Sequence, residues 1–243
     1  MKFRQRVMRL IATLGLTLLC APLPSFATML AVSLDTSQLV GNPAAPFYIE
    51  FQLNDGSGTN DGNNTAAVTS FDFGGGAPGD PSTIVTNGGA GGCLNCGVTI
   101  TDNSFFNQFY QQFTPGTTLT FEVNLTENVD SGPQPDEFTF AILDCSQTEI
   151  PTTSPANALL TVDISAPAKI QTFSGTTNAS LACNGQPGIP LPAPATAVLP
   201  EPGTLPVGIV GLAFVSIGLR LTRRRRASRM QHKEMSAGQR FSP

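Results

Sequence analysis

Hydrophobic and polar residues alternate along much of this chain. In FYIEFQL, Phe47, Ile49, Phe51 and Leu53 alternate with Tyr48, Glu50 and Gln52, and in LTFEVNLT, Leu119, Phe121, Val123 and Leu125 alternate with Thr120, Glu122 and Asn124. A period of two puts the apolar set on one buried face of a β-strand. MLAVSLD, TAAVTSFDF, GVTIT, EFTFAILD, LLTVDI and KIQTFS read in the same way, for about eight short strands. Between them lie NDGSGTNDGNN, GGGAPGDP, NGGAGG and DSGPQPD, compositions that suit turns and loops. The pattern predicts an all-β fold, an antiparallel, jelly-roll-like β-sandwich. One stretch departs from it. In DNSFFNQFYQQFTPG the spacing of Phe105, Phe106, Phe109, Tyr110 and Phe113 is helical, Asp102 or Asn103 can cap the start, and Pro115-Gly116 ends it. One short helix packed on the sandwich is therefore expected.

The N-terminus changes the setting in which this domain is read. Lys2, Arg4, Arg6 and Arg9 precede or open an apolar run to Cys20, Pro22 and Pro24 break it, and Ser25 and Ala27 supply small residues. Residues 1–27 are thus expected to be a secretory signal peptide, cleaved between Ala27 and Thr28. Export permits disulfides, and the body holds Cys93, Cys96, Cys145 and Cys183, which allow three pairings. The favoured set is Cys93 with Cys96 and Cys145 with Cys183, since GGCLNCG can close a small loop. A redox CxxC should open a helix in a βαβ unit, whereas this one lies between glycines and a strand-like segment.

Charge narrows the chemistry. Residues 28–199 carry fifteen acids against one base, Lys169, a formal charge of −14. Such a body repels phosphate backbones, so no nucleic-acid partner is expected. The sole histidine, His232, lies near the C-terminus, which leaves the body no Ser/His/Asp or Cys/His arrangement and no histidine for a zinc site. Asp136, Glu137, Glu122 and Asp144 are available for two-carboxylate glycoside chemistry, but acids are so abundant that solvated carboxylates are the simpler reading. An enzyme is not expected. Glycan binding would want flat aromatic surfaces, and the chain has no Trp and only Tyr48 and Tyr110. NDGSGTNDGNN offers carboxylate, amide and backbone oxygens suited to a hard cation, making Asp55 and Asp61 candidate calcium ligands. It does not have EF-hand spacing, since the sixth position from Asp55 is Asn60.

The C-terminus reads as an address. Residues 184–199 are proline-rich and expected to form an extended stalk after a β-domain of residues 28–183. Residues 203–219 are uncharged and span about 25 Å as a helix, and Arg220 can snorkel so that the transmembrane helix reaches residue 222. Arg223, Arg224, Arg225 and Arg226 follow, which places the tail, residues 227–243, on the cytoplasmic side. Pro200, Glu201 and Pro202, the apolar segment and the arginine cluster together resemble the PEP-CTERM sorting signal. That resemblance implies export in a bacterium making extracellular polysaccharide, membrane insertion through the C-terminal helix, and processing by an exosortase. FDFGGG, FFNQFYQQFTPGTTLTF and PDEFTFAILD are similar to stretches of PEP-CTERM proteins of uncharacterised function. The expected protein is an exported cell-envelope or matrix component, structural or adhesive in an exopolysaccharide context, with a glycan-binding module, and after it a secreted glycan hydrolase, as the alternatives.

Overall fold

The computed structural model describes residues 27–57, 60–165 and 167–199. The expected signal peptide up to residue 26, the expected sorting residues Pro200, Glu201, Pro202 and Arg223 to Arg226, the expected span 203–222 and the expected tail 227–243 lie outside the described residues. Among those described, no helix is long and apolar enough to cross a membrane.

Thirteen strands run along the described chain: β1 (Ala27–Asp35), β2 (Phe47–Asn54), β3 (Thr65–Asp72), β4 (Ala77–Pro78), β5 (Val85–Asn87), β6 (Gly89–Cys93), β7 (Gly97–Thr101), β8 (Phe106–Thr114), β9 (Thr118–Thr126), β10 (Asp136–Leu143), β11 (Leu160–Ile164), β12 (Lys169–Thr172) and β13 (Ala195–Leu199). They form two antiparallel sheets. The first is ordered β13-β1-β9-β3-β7-β6, the second β12-β11-β10-β2-β8-β4, with β5 also pairing β8.

The alternation explains why the sheets stack. Phe47, Ile49, Phe51 and Leu53 of β2 and Phe138, Phe140 and Ile142 of β10 are fully buried, as are Leu119, Phe121, Val123 and Leu125 of the facing β9. Phenylalanines join the two inner faces. The Phe51 ring lies edge-on to Phe121 at 5.3 Å and Phe121 edge-on to Phe140 at 5.0 Å, arrangements that satisfy the ring quadrupoles as well as burying area.

The expected helix is a strand. Phe106–Thr114 pairs with β2 in register from Asn54↔Phe106 to Phe47↔Phe113. Its buried positions are Asn107, Phe109, Gln111 and Phe113, a period of two in which two of the four inward residues are polar. The spacing of aromatics alone looked helical because Asn107 and Gln111 hide that period.

The expected stalk is also part of the domain. Ile189 and Leu191 are 2% and 1% exposed, Gly175 N–H donates to the Leu191 carbonyl at 2.8 Å, and β13 pairs with β1 from Ser33↔Ala195 to Met29↔Leu199. Proline does not obstruct this: Pro187, Pro190 and Pro192 are exposed while Gly188, Ile189 and Leu191 between them are buried, Pro194 is itself buried, and β13 contains no proline and lies at a sheet edge.

Candidate functional site

Three connections cross from one sheet to the other at the same end of the sandwich. They are residues 55–64 between β2 and β3, residues 102–105 between β7 and β8, and residues 127–135 between β9 and β10. The registers bring them together: Asn54 is opposite Phe106 and Glu137, Thr65 is opposite Thr101, and Ala66 is opposite Leu125.

Each connection, or the strand it enters, brings acid to that end. One carboxylate oxygen of each of Asp55, Asp130 and Asp136 lies within 4.8 Å of the others. Asp136 is 2% exposed; its Oδ1 accepts the Gly56 N–H at 2.7 Å and its Oδ2 accepts the Asn64 side-chain amide at 2.7 Å. Asp102, fully buried, accepts the Asn64 N–H with both oxygens, at 3.0 and 2.9 Å. Asp55 Oδ2 accepts the Asn60 N–H. Asn63 donates its amide to Asp61 at 2.8 Å and to Asp130 at 2.7 Å. Gly56 lies so close to the Gln134 and Pro135 carbonyls that no side chain would fit there, which draws the first connection onto the third.

The electrostatics follow from crowding. Burial pushes the Asp102 carboxyl up to about 7; the Asn64 N–H works against this, and contact with Asp136 adds to it. Asp55 is raised for the same leading reason, against the Asn60 N–H, with repulsion from Asp136, Asp61 and Asp130 added. Of the two residues singled out by sequence, Asp55 is at the centre of this group, whereas Asp61 is exposed and acts through Asn63. The sequence does not single out Asp130, and it suggests Asp136 only for glycoside chemistry and Asp102 only as a helix cap, because their proximity to Asp55 depends on the sheet register. The one local signal was the density of Asn and Asp in residues 60–64 and 128–136.

The opposite end is tied covalently. Cys145 pairs with Cys183 at a Cα separation of 5.5 Å, and Cys93 with Cys96 at 5.2 Å, the favoured set from sequence. Asp144 Oδ2 accepts the Cys183 N–H at 2.8 Å and its Oδ1 the Ser146 N–H at 2.8 Å, so this acid organises a turn. The other acids considered for glycoside chemistry are dispersed. Glu122 points outward from the first sheet, Glu137 outward from the second, and Asp136, next in sequence to Glu137, faces the opposite way.

The outer face of the second sheet carries a polar cleft of about 290 Å³, lined among others by Gln52, Asn54, Phe106, Gln108, Glu137 and Glu149. Glu50, beside it, is 1% exposed and accepts the side-chain amides of Gln52, at 2.9 Å, and Gln108. Burial raises its pKa, the two amides oppose the shift, and Glu149 adds to it. Tyr48 is buried edge-on against Tyr110 at 6.0 Å, and the Tyr110 hydroxyl donates to Gln147 at 3.0 Å. The tyrosines therefore pack with each other before they can present a flat surface.

No family model, curated protein or solved structure matches this chain.

Proposed function

We propose that this chain is an exported protein of the cell envelope or extracellular matrix, sorted through its PEP-CTERM-like C-terminus and acting as a structural or adhesive surface component without catalytic activity. One observation carries the reading furthest: the last strand of the sandwich ends at Leu199, directly before the Pro200-Glu201-Pro202 triplet. A folded domain that ends where the sorting motif begins could be delivered intact by cleavage there. The paired cysteines suit an oxidising compartment. The order β1-β9-β3-β7 against β2-β8-β4 supports reading the sandwich as jelly-roll-like, widened by β10 to β13. The apolar segment 203–222 serves as a transmembrane helix until an exosortase acts.

Intact-mass analysis of the protein from its own cells, with and without the exosortase, tests this. The expected product begins at Thr28 and ends between residues 200 and 203 only when the enzyme is present. A chain retaining residues 223–243 in both cases would make it a single-pass membrane protein and overturn the sorting reading.

The cleft beside Glu50 favours glycan binding as a second reading, since amide and carboxylate groups on a sheet face can bind sugar hydroxyls. Retention of the purified exopolysaccharide by the wild type, and its loss in Gln108→Ala or Glu149→Gln, would support it.

A further inference from the structure

We propose that the carboxylate end of the sandwich is a calcium site, with Asp55, Asn63, Asp130 and Asp136 as its protein ligands. Acidic groups alone would not justify this, because they often stand solvated on surfaces. Three oxygens here are different: Asp55 Oδ1, Asn63 Oδ1 and Asp130 Oδ2 are buried and accept no hydrogen bond. Asp55 as a whole is 1% exposed. Its Oδ2 is taken by Asn60, while the charged groups around it are Asp136, Asp61 and Asp130. A buried carboxylate oxygen with neither donor nor cation beside it is strongly disfavoured, so the arrangement calls for a positive charge.

No side chain supplies that charge. Lys169 is the one basic residue among those described, and it lies 4.0 Å from Asp163 instead. The donor set is all oxygen, which selects a hard cation over zinc or copper. Its spacing admits calcium, since two oxygens each about 2.4 Å from a shared ion lie at most about 4.8 Å apart, and magnesium usually keeps several waters in preference to a dedicated set of protein ligands. The carboxylate oxygens of Asp55, Asp130 and Asp136 fall within that 4.8 Å limit.

The hydrogen bonds around the ligands are those of a supporting shell. Asp61 positions Asn63, Asn60 orients Asp55, and Gly56 and Asn64 fix the Asp136 carboxylate. Asn64 also donates to the Asn128 carbonyl and accepts the Asn128 N–H, which binds the first connection to the third. An ion here would tie the β2–β3 connection, the β9–β10 connection and the start of β10 into one unit. The site does not depend on the sorting reading, so either can fail alone.

The test uses the full-length chain, stripped with EDTA and titrated with calcium chloride while binding heat and thermal unfolding are followed. The expected result is one calcium per chain and a Tm rise of about 5–10 °C at a calcium concentration one hundred times Kd. Asp136→Asn removes a buried structural acceptor as well, so the half-buried ligands carry the comparison. Asp130→Asn and Asn63→Ala are expected to weaken calcium binding by about tenfold or more, while Asp163→Asn leaves it unchanged. The absence of a calcium-dependent Tm shift in the wild type, an undiminished shift in both ligand variants, or an equal shift with magnesium chloride at the same concentration would overturn the assignment.

Discussion

The buried side chain of Asn107 on β8 accepts the backbone N–H of Gly89 at 2.8 Å, so a residue of one sheet holds the first residue of a strand in the other. Its amide nitrogen donates to the Leu53 carbonyl at 3.0 Å and to the Ser104 carbonyl at 2.5 Å. The chain passes between the sheets at Gly88, where φ is +60° and an added Cβ would collide with Asn107 and the Phe106 carbonyl.

Asn107→Leu keeps the size of the side chain but strands those three backbone groups. A loss of at least about 1–3 kcal/mol is expected from urea unfolding. Gly88→Ala should also destabilise, because it adds a clash to a left-handed backbone conformation. Unchanged stability in both would mean that the corner is not held in this way.

The same residue explains what could and could not be read from sequence. Eight segments with visible alternation all form strands; most bury their apolar set, with β2 and β10 buried on both faces and β12, at a sheet edge, on neither. In β8, Asn107 and Gln111 point inward to serve the neighbouring chain: Gln111 accepts the Leu94 N–H at 2.9 Å and donates to the Gly79 carbonyl at 3.0 Å. Polar residues used as braces erased the period, and the phenylalanines then suggested a helix. β6, GAGGC, carries almost no side chains from which a pattern could show. The proline-rich segment misled for another reason: composition described its backbone, whereas Ile189 and Leu191 decided its packing. At the acidic end, Asp55 was legible because its loop is locally dense in oxygen donors. Its partners come from residues far along the chain.

Leu191 gives a direct check on the domain boundary. Leu191→Ala should lower stability by about 2–5 kcal/mol, as expected for a buried leucine, and a residue of a solvated stalk would show almost none. Chemical denaturation of the two proteins separates these outcomes.

The two disulfides should differ in weight. Cys145 and Cys183 are 38 residues apart, and replacing both by serine is expected to cost about 4 kcal/mol on a chain-entropy basis. Cys93 and Cys96 are 3 apart, for which the same relation gives only about 1.5 kcal/mol. Equal losses in the two double variants would contradict this ranking.

Glu50 predicts a pH effect of definite sign. Its folded pKa is raised, by burial first, so the folded state holds its proton more tightly than the unfolded chain does. Stability from this group is therefore fully present below the ordinary glutamate range and declines as pH rises through that range to the raised folded value. Glu50→Gln removes the dependence. The stability difference between Glu50→Gln and wild type should shift in favour of the variant from pH 4 to pH 7.5, whatever the other carboxylates contribute to both. Parallel pH profiles would show that Glu50 ionises as freely in the fold as outside it.

Because Leu199 lies opposite Met29 at the edge of the first sheet, the described chain nearly meets itself. A few glycines and serines would join Leu199 to Ala27, and a cut between the exposed Thr177 and Asn178 would open new ends without dividing a strand. Such a circular permutant retains every strand pairing in the two sheets. The architecture is in this respect a closed circuit, and the point at which the polypeptide starts along it is a choice the packing does not make.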